Sequence, residues 1–198
     1  MSIHFEVRMM PAGTGLGVWD NPHAHSVVQR WFMPRDRQHG PMIGILNLGD
    51  LHPAPNVLRD VIVTIGKDVQ AGRYGNFTFM VSSNDDATRT VVSDIASGQN
   101  LPIFVGPIVV GSSMTHLEQA EPVGDLTAKE RETLSLVLRA GGTVTVAELA
   151  QQVGIEQTTA GNRLISLHKK GYLQRIERPH PVGDQFVDPR SVRFDLRQ

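Results

Sequence analysis

The stretch from Thr145 to Gly171, TVAELAQQVGIEQTTAGNRLISLHKKG, constrains the fold more than any other, because it spells two short amphipathic helices joined by a tight turn. Val146, Leu149, Ala150 and Val153 recur at helical spacing, which places them on one face of a 3.6-residue repeat and marks that face for burial. Thr145 can accept from the N3 amide while Glu148 reaches back to the cap, Val144 can pack on Leu149, and Gly154 stops the helix. A second helix opens near Glu156 or Gln157 and buries Ala160, Leu164 and Leu167. At about 100° per residue, Thr158, Asn162 and Lys169 fall on the opposite face, with Ser166 beside them and Arg163 nearer the flank. A hydroxyl, an amide and a guanidinium on one helix are the side-chain types that read base edges and phosphates in a major groove, and they equally suit a solvated face.

The residues on either side of this pair narrow the choice. Tyr172 to Arg178 alternates like a strand, Pro179 to Asp184 reads as a turn-rich loop, and either Gln185-Phe186-Val187 or Val192-Arg193-Phe194 could return as the strand's partner. Upstream, Thr127 with Glu130 forms another capping box, and Leu134, Val137 and Leu138 give one more helix its core face before Gly141-Gly142. This order, with Val146-Ala147-Glu148-Leu149-Ala150 and Leu167-His168-Lys169-Lys170-Gly171-Tyr172-Leu173 as its most specific pieces, resembles the winged-helix domains of bacterial MarR-like transcription regulators. The resemblance covers roughly the last third of the chain. It implies that the second helix enters the major groove, nominating Gln157, Thr158, Thr159, Asn162, Arg163 and Lys169. It also implies that Arg175, Arg178 and His180 of the wing touch phosphate or the minor groove. The departure is Gly161 inside the recognition helix, which costs about 1 kcal/mol against Ala.

Charge agrees with that assignment only when it is read by segment. The 198-residue chain has a net charge of −1, but from Gln157 to Gln198 eight Lys or Arg face four acids, while residues 1–124 carry eight basic and eleven acidic residues. The positive field therefore gathers in the segment where a DNA-facing surface needs it, with an excess of only +4. Binding by one copy should be weak and salt-sensitive, so a homodimer is expected. There is no apolar run long enough for a membrane span and no basic-then-apolar leader, so we expect a cytoplasmic protein without a membrane partner. Absence of Cys removes disulfides, thiolate zinc sites and a cysteine nucleophile together.

The first two thirds read as α/β. Ile3 to Met9 alternates as a strand ended by Pro11. Gly13-Thr14-Gly15-Leu16-Gly17 lacks the spacing of a dinucleotide loop, and a hairpin or flexible loop accounts for it more simply. His23 and His25 stand two apart, as in some metal sites, but neither His39 nor His52 is near in sequence, and surface histidines are the plainer reading. Val27 to Phe32 suits a short helix or strand. Met42-Ile43-Gly44-Ile45-Leu46-Asn47-Leu48 is nearly continuous in apolar residues, as in a strand buried on both faces. Leu58, Val61, Ile62, Ile65 and Val69 mark a helix, Phe77 to Val81 a strand, and Ala87, Val91, Val92 and Ile95 a helix capped by Asp85 or Asp86. Leu101 to Val105 is a third core strand, with Ile108 to Val110 as a continuation. Met114 to Gly124 reads as a linker with a helical turn at 115–119.

The fold expected is therefore an N-terminal α/β domain with an open, mostly parallel sheet over 1–120, followed by an α+β winged helix-turn-helix domain over 125–198. The first domain resembles STAS-like modules, which implies ligand or partner binding in place of catalysis. Ligands of open α/β sheets bind beyond the carboxyl ends of strands, where Asp50, Ser82, Ser83, Asn84 and Asp85 could line one crevice. Ser, Asn and Asp after a strand are also ordinary turn and cap residues. These residues are compatible with three functions: a regulator binding double-stranded DNA, with the α/β domain dimerising or sensing a small-molecule or protein effector; a winged helix that binds protein; and a phosphoryl-transfer or nuclease enzyme holding a metal on Asp50, Asp85 and Asp86. No cofactor motif, nucleophile or general-base constellation is visible, so the expectation is a protein that is not an enzyme.

Overall fold

The computed structural model describes residues 5–10, 24–32, 41–110, 115–117, 119–178 and 183–194. Trp19, His23, His39 and His180, and the glycine-rich run at 13–17, lie outside them.

Four strands, β1 (Glu6–Met10), β2 (Met42–Gly49), β3 (Phe77–Ser83) and β4 (Ile103–Gly106), lie parallel and side by side in chain order. Helices α1 (Ala24–Phe32), α2 (Pro55–Gln70) and α3 (Asp86–Gly98) connect them in turn. When strands follow one another in chain order, crossovers of one hand put every helix on the same face of the sheet. Phe32, Leu58, Ile62, Ile65, Val92 and Ala96 from the helices accordingly share a core with Leu46, Phe79, Val81 and Ile103 of the strands. Gly44 lets the helices come this close: a Cβ there would meet the Phe77 ring at 2.4 Å and the Phe32 ring at 2.9 Å.

One-sided helices leave the other face of an apolar sheet without cover. The C-terminal part covers it. Ile43 and Ile45 of β2, Met80 of β3 and Phe104 of β4 share a second core with Leu134, Val137, Leu149, Leu164, Leu167, Tyr172 and Phe186. That part comprises α4 (Ala128–Arg139), α5 (Val146–Val153) and α6 (Gln157–Lys169), together with a three-stranded antiparallel sheet. Both capping boxes are present, Thr127 with Glu130 and Thr145 with Glu148, and Gly154 ends α5 in the left-handed conformation at φ 69°.

Residues 108–124 depart from expectation. Residues after Pro107 do not prolong β4: β5 (Val109–Val110) pairs antiparallel with β6 (Thr115–His116) in a separate two-stranded ribbon. Thr115 and His116, read as the start of a helical turn, form β6 instead, and the stretch read as linker carries β7 (Glu121–Val123), which pairs antiparallel with β4 as the fifth strand of the main sheet. Pro122 is compatible with a strand because β7 is an edge, where a missing N–H breaks no ladder.

The small sheet joins β8 (Thr143–Thr145), β9 (Gln174–Ile176) and β10 (Gln185–Val187) in the order β8-β10-β9. Of the two return strands considered from sequence, Gln185–Val187 is the one that pairs with β9, while Phe194 bridges to Thr115. Arg190 and Asp188 fasten the chain after β10 to the main sheet. Both are buried, Arg190 Nη2 donates to Asp188 Oδ2 at 2.6 Å, its Nη1 donates to the Ala120 carbonyl, and its guanidinium lies 5.2 Å from the centre of the Phe104 ring.

Candidate functional site

Helix α6 buries Ala160, Leu164 and Leu167 and turns Gln157, Thr158, Thr159, Asn162 and Lys169 to solvent. Residues four, seven and eleven beyond Thr158 return to its side of the helix, so Thr158, Asn162, Ile165 and Lys169 form one outward stripe. Ile165 is 37% exposed and was missed in the sequence, although the same helical spacing that selects Asn162 and Lys169 selects it. Arg163 is half-buried on the flank, and its Nη1 finds no hydrogen-bond partner among the described residues. Ser166 is turned inward to Glu130, its Oγ donating to Oε1 at 2.9 Å.

The nominated cations of the β9–β10 hairpin are partly engaged. Arg175 donates from Nε and Nη2 to Asp184 Oδ2 at 2.8 and 2.5 Å, a charge-assisted pair that competes with any external anion. Arg178 donates from Nη2 to Gln185 Oε1 at 2.9 Å, while its buried Nε has no partner among the described residues.

The junction between α6 and β9 is pinned to the large sheet. Thr78 Oγ1 donates to the Gly171 carbonyl at 3.1 Å, Asn76 Nδ2 to the Arg175 carbonyl at 2.8 Å, and the buried Gln174 amide lies 2.6 Å from Thr78 Oγ1. Tyr172 donates to the Val123 carbonyl at 2.7 Å, and burial pushes its phenol pKa up, keeping it a donor. The orientation of the helix and hairpin is thus set by the α/β part.

At the strand ends, Asp50, Ser83, Asn84 and Asp85 come together. Asn84 Nδ2 donates to Asp50 Oδ1 at 3.2 Å, and Ser83 Oγ to the Gly49 carbonyl at 3.1 Å. Asp85 caps α3, accepting from the Thr88 amide at 2.6 Å; Thr88 holds its carboxyl below the usual range. Ser82 does not join them. It follows Met80 in the alternation of β3 and faces the second core, where its buried Oγ has no partner among the described residues. Asp86 is paired with Arg89. Among the described residues no three His, Asp or Glu side chains gather where they could hold a metal ion, so Asp50, Asp85 and Asp86 do not make the cage considered from sequence. A cleft of about 420 Å³ between α2 and α3, lined by Asn56, Arg59, Asp60 and Asp94 among others, was not anticipated.

No helix among the described residues is long and apolar enough to cross a membrane. Comparison with family models, curated proteins and solved structures finds no match to this chain.

Proposed function

We propose that the chain is a DNA-binding transcription regulator whose C-terminal part is a winged helix-turn-helix, with α6 as recognition helix and the β9–β10 hairpin as wing. The observation that carries this reading is the outward stripe Thr158, Asn162, Ile165 and Lys169 on a helix whose opposite face is buried. A major groove about 12 Å wide admits one such helix, where an amide can pair with adenine, an apolar branch can touch the thymine methyl and an ammonium can meet guanine or phosphate. The order of elements supports it: three helices, then a hairpin whose second strand lies between β8 and β9. The α/β part would hold the angle between helix and wing and supply the dimer contact, with Asp50 and Asn84 at the strand ends as the place for an effector.

Mobility shift against fragmented duplex DNA at about 50 and 200 mM salt tests the reading, since phosphate contacts make binding fall steeply over that range. Lys169→Ala should weaken binding to every sequence, and Asn162→Ala should cost about 1–3 kcal/mol on a selected site but little on random DNA. No shift on any duplex at the lower salt sinks it. One observation favours protein as the partner instead: Ile165 is exposed while Arg175 is already held by Asp184. That reading predicts a folded protein, indifferent to DNA, whose partner binding is lost on Ile165→Asp.

A further inference from the structure

We propose that two copies of the chain pair edge to edge through β1, antiparallel about a two-fold axis passing beside Val7, with Val27 and Trp31 of α1 adding apolar contact. This supplies the dimer that the DNA-binding reading calls for, and its test reads mass and not DNA.

Strand β1 ends the order of the main sheet, and among the described residues no strand pairs with its outer side. The Glu6 amide donates to the Pro41 carbonyl at 3.2 Å, so Glu6, Arg8 and Met10 turn their backbone groups toward β2. Alternation along a strand then points those of Phe5, Val7 and Met9 to the open edge. Whereas β3 is buried along its whole length, β1 is half-buried from Glu6 to Met9.

Charge selects the register. An axis at Arg8 would set two guanidiniums opposite each other, and an axis at Glu6 two carboxylates; like charges directly opposed are destabilising. Within each chain Arg8 Nε donates to Glu6 Oε1 at 2.5 Å, and an axis at Val7 sets Glu6 opposite Arg8 of the second copy and Arg8 opposite its Glu6, so the two pairs join in one network of alternating charge. On the other face it sets Phe5 opposite Met9 and Val7 opposite Val7, all of them side chains already packed at the margin of the second core. Backbone groups agree, because Val7 then forms a hydrogen-bonded pair with its counterpart. Charges on an edge strand usually guard it against pairing; here their spacing makes the strand complementary to itself. The second observation is independent. Of the three large apolar residues exposed among the described residues, two, Val27 at 37% and Trp31 at 44%, stand one helical turn apart on α1, the helix packed against β1.

Light scattering on the full chain at tens of micromolar should give the mass of two chains. Arg8→Glu and Glu6→Arg, each alone, oppose like charges at both outer pairs and should weaken self-association about tenfold or more. Mixed in equal amounts they should form a heterodimer as tightly as the parent, since opposite charges again meet across the axis while neither chain regains its own Glu6–Arg8 pair. A one-chain mass for the parent, unchanged association of the single variants, or no recovery on mixing overturns the interface. Should either variant fail to fold by circular dichroism, Val7→Cys decides: the chain has no cysteine of its own, so oxidation must yield a linked pair, and Asp94→Cys must not. Absence of the Val7→Cys link overturns the proposal. A two-chain mass without any duplex shift leaves this interface standing and removes the regulator reading; a shift by a one-chain protein does the reverse.

Discussion

Glu130 on α4 and Lys170 at the end of α6 meet at 2.9 Å, forty residues apart, with the Glu130 carboxylate buried. Burial alone would raise the carboxyl pKa. The Lys170 ammonium, the Thr127 amide and the Ser166 hydroxyl outweigh it and hold the pKa at about 2, against an ordinary 4.5. One carboxylate therefore caps α4 and clamps α6 to it.

The first prediction concerns acid stability. The folded pKa is depressed, so the contribution of Glu130 is complete above about pH 4.5 and is lost as pH falls through about 2. Glu130→Gln should cost about 2–3 kcal/mol in urea unfolding at pH 7 and flatten the decline between pH 4.5 and 2. A variant whose acid decline parallels that of the parent would mean that the clamp carries no proton linkage.

The second prediction concerns cooperativity. Phe104 lies on the sheet face that the C-terminal part covers, with its ring edge-on to Tyr172 at 5.8 Å and under Arg190. Phe104→Ala should cost about 3–5 kcal/mol. Hydrogen exchange in β2 and in the middle of α6 should report one common opening free energy, lowered equally by the substitution. If α6 exchanges several kcal/mol more easily than β2 in the parent, the C-terminal part opens alone and the shared core is not one cooperative unit.

Particular residues show how far the sequence carried. The run Met42 to Leu48 announces a strand buried on both faces, and one-sided helices account for only one of them. Nothing local says that Ile43, Ile45, Met80 and Phe104 meet Leu134, Tyr172 and Phe186, because contacts that distant leave no periodicity in either segment. Pro122 and Gly124 looked like linker punctuation since proline usually excludes a strand, yet an edge tolerates it. Thr143 to Thr145 is too short to alternate visibly, so β8 was missed. Arg175 was legible as a cation but not as a paired one: Asp184 faces it only once the hairpin closes.

The third prediction concerns Gly161, the residue of lowest helix propensity in α6. It faces α5, and a Cβ there would lie 3.6 Å from Val146 Cγ1, an ordinary van der Waals contact. Gly161→Ala should therefore stabilise the protein by about 0.5–1 kcal/mol through helix propensity. Because the position lies on the flank that meets α5, beside the stripe of Thr158, Asn162, Ile165 and Lys169 and not within it, the DNA-binding reading expects no loss of affinity. Destabilisation in thermal unfolding would show that α5 and α6 cannot accommodate the methyl group.

The last prediction separates the charge of the β9–β10 hairpin from its shape. Asp184 accepts both Arg175 nitrogens through Oδ2 and receives the Arg178 amide at 3.4 Å through Oδ1, so it both neutralises a cation and braces the hairpin. Asp184→Asn keeps an oxygen for the amide but removes the charge that competes with phosphate. On the DNA-binding reading, the released guanidinium makes one more phosphate contact, which should tighten binding at low salt and steepen the dependence of log K on log salt by about 0.9. Arg175→Ala should abolish that gain in the double variant, since no other group is released. An unchanged slope for Asp184→Asn, with the hairpin intact by hydrogen exchange, would place Arg175 off the DNA and confine the interface to α6.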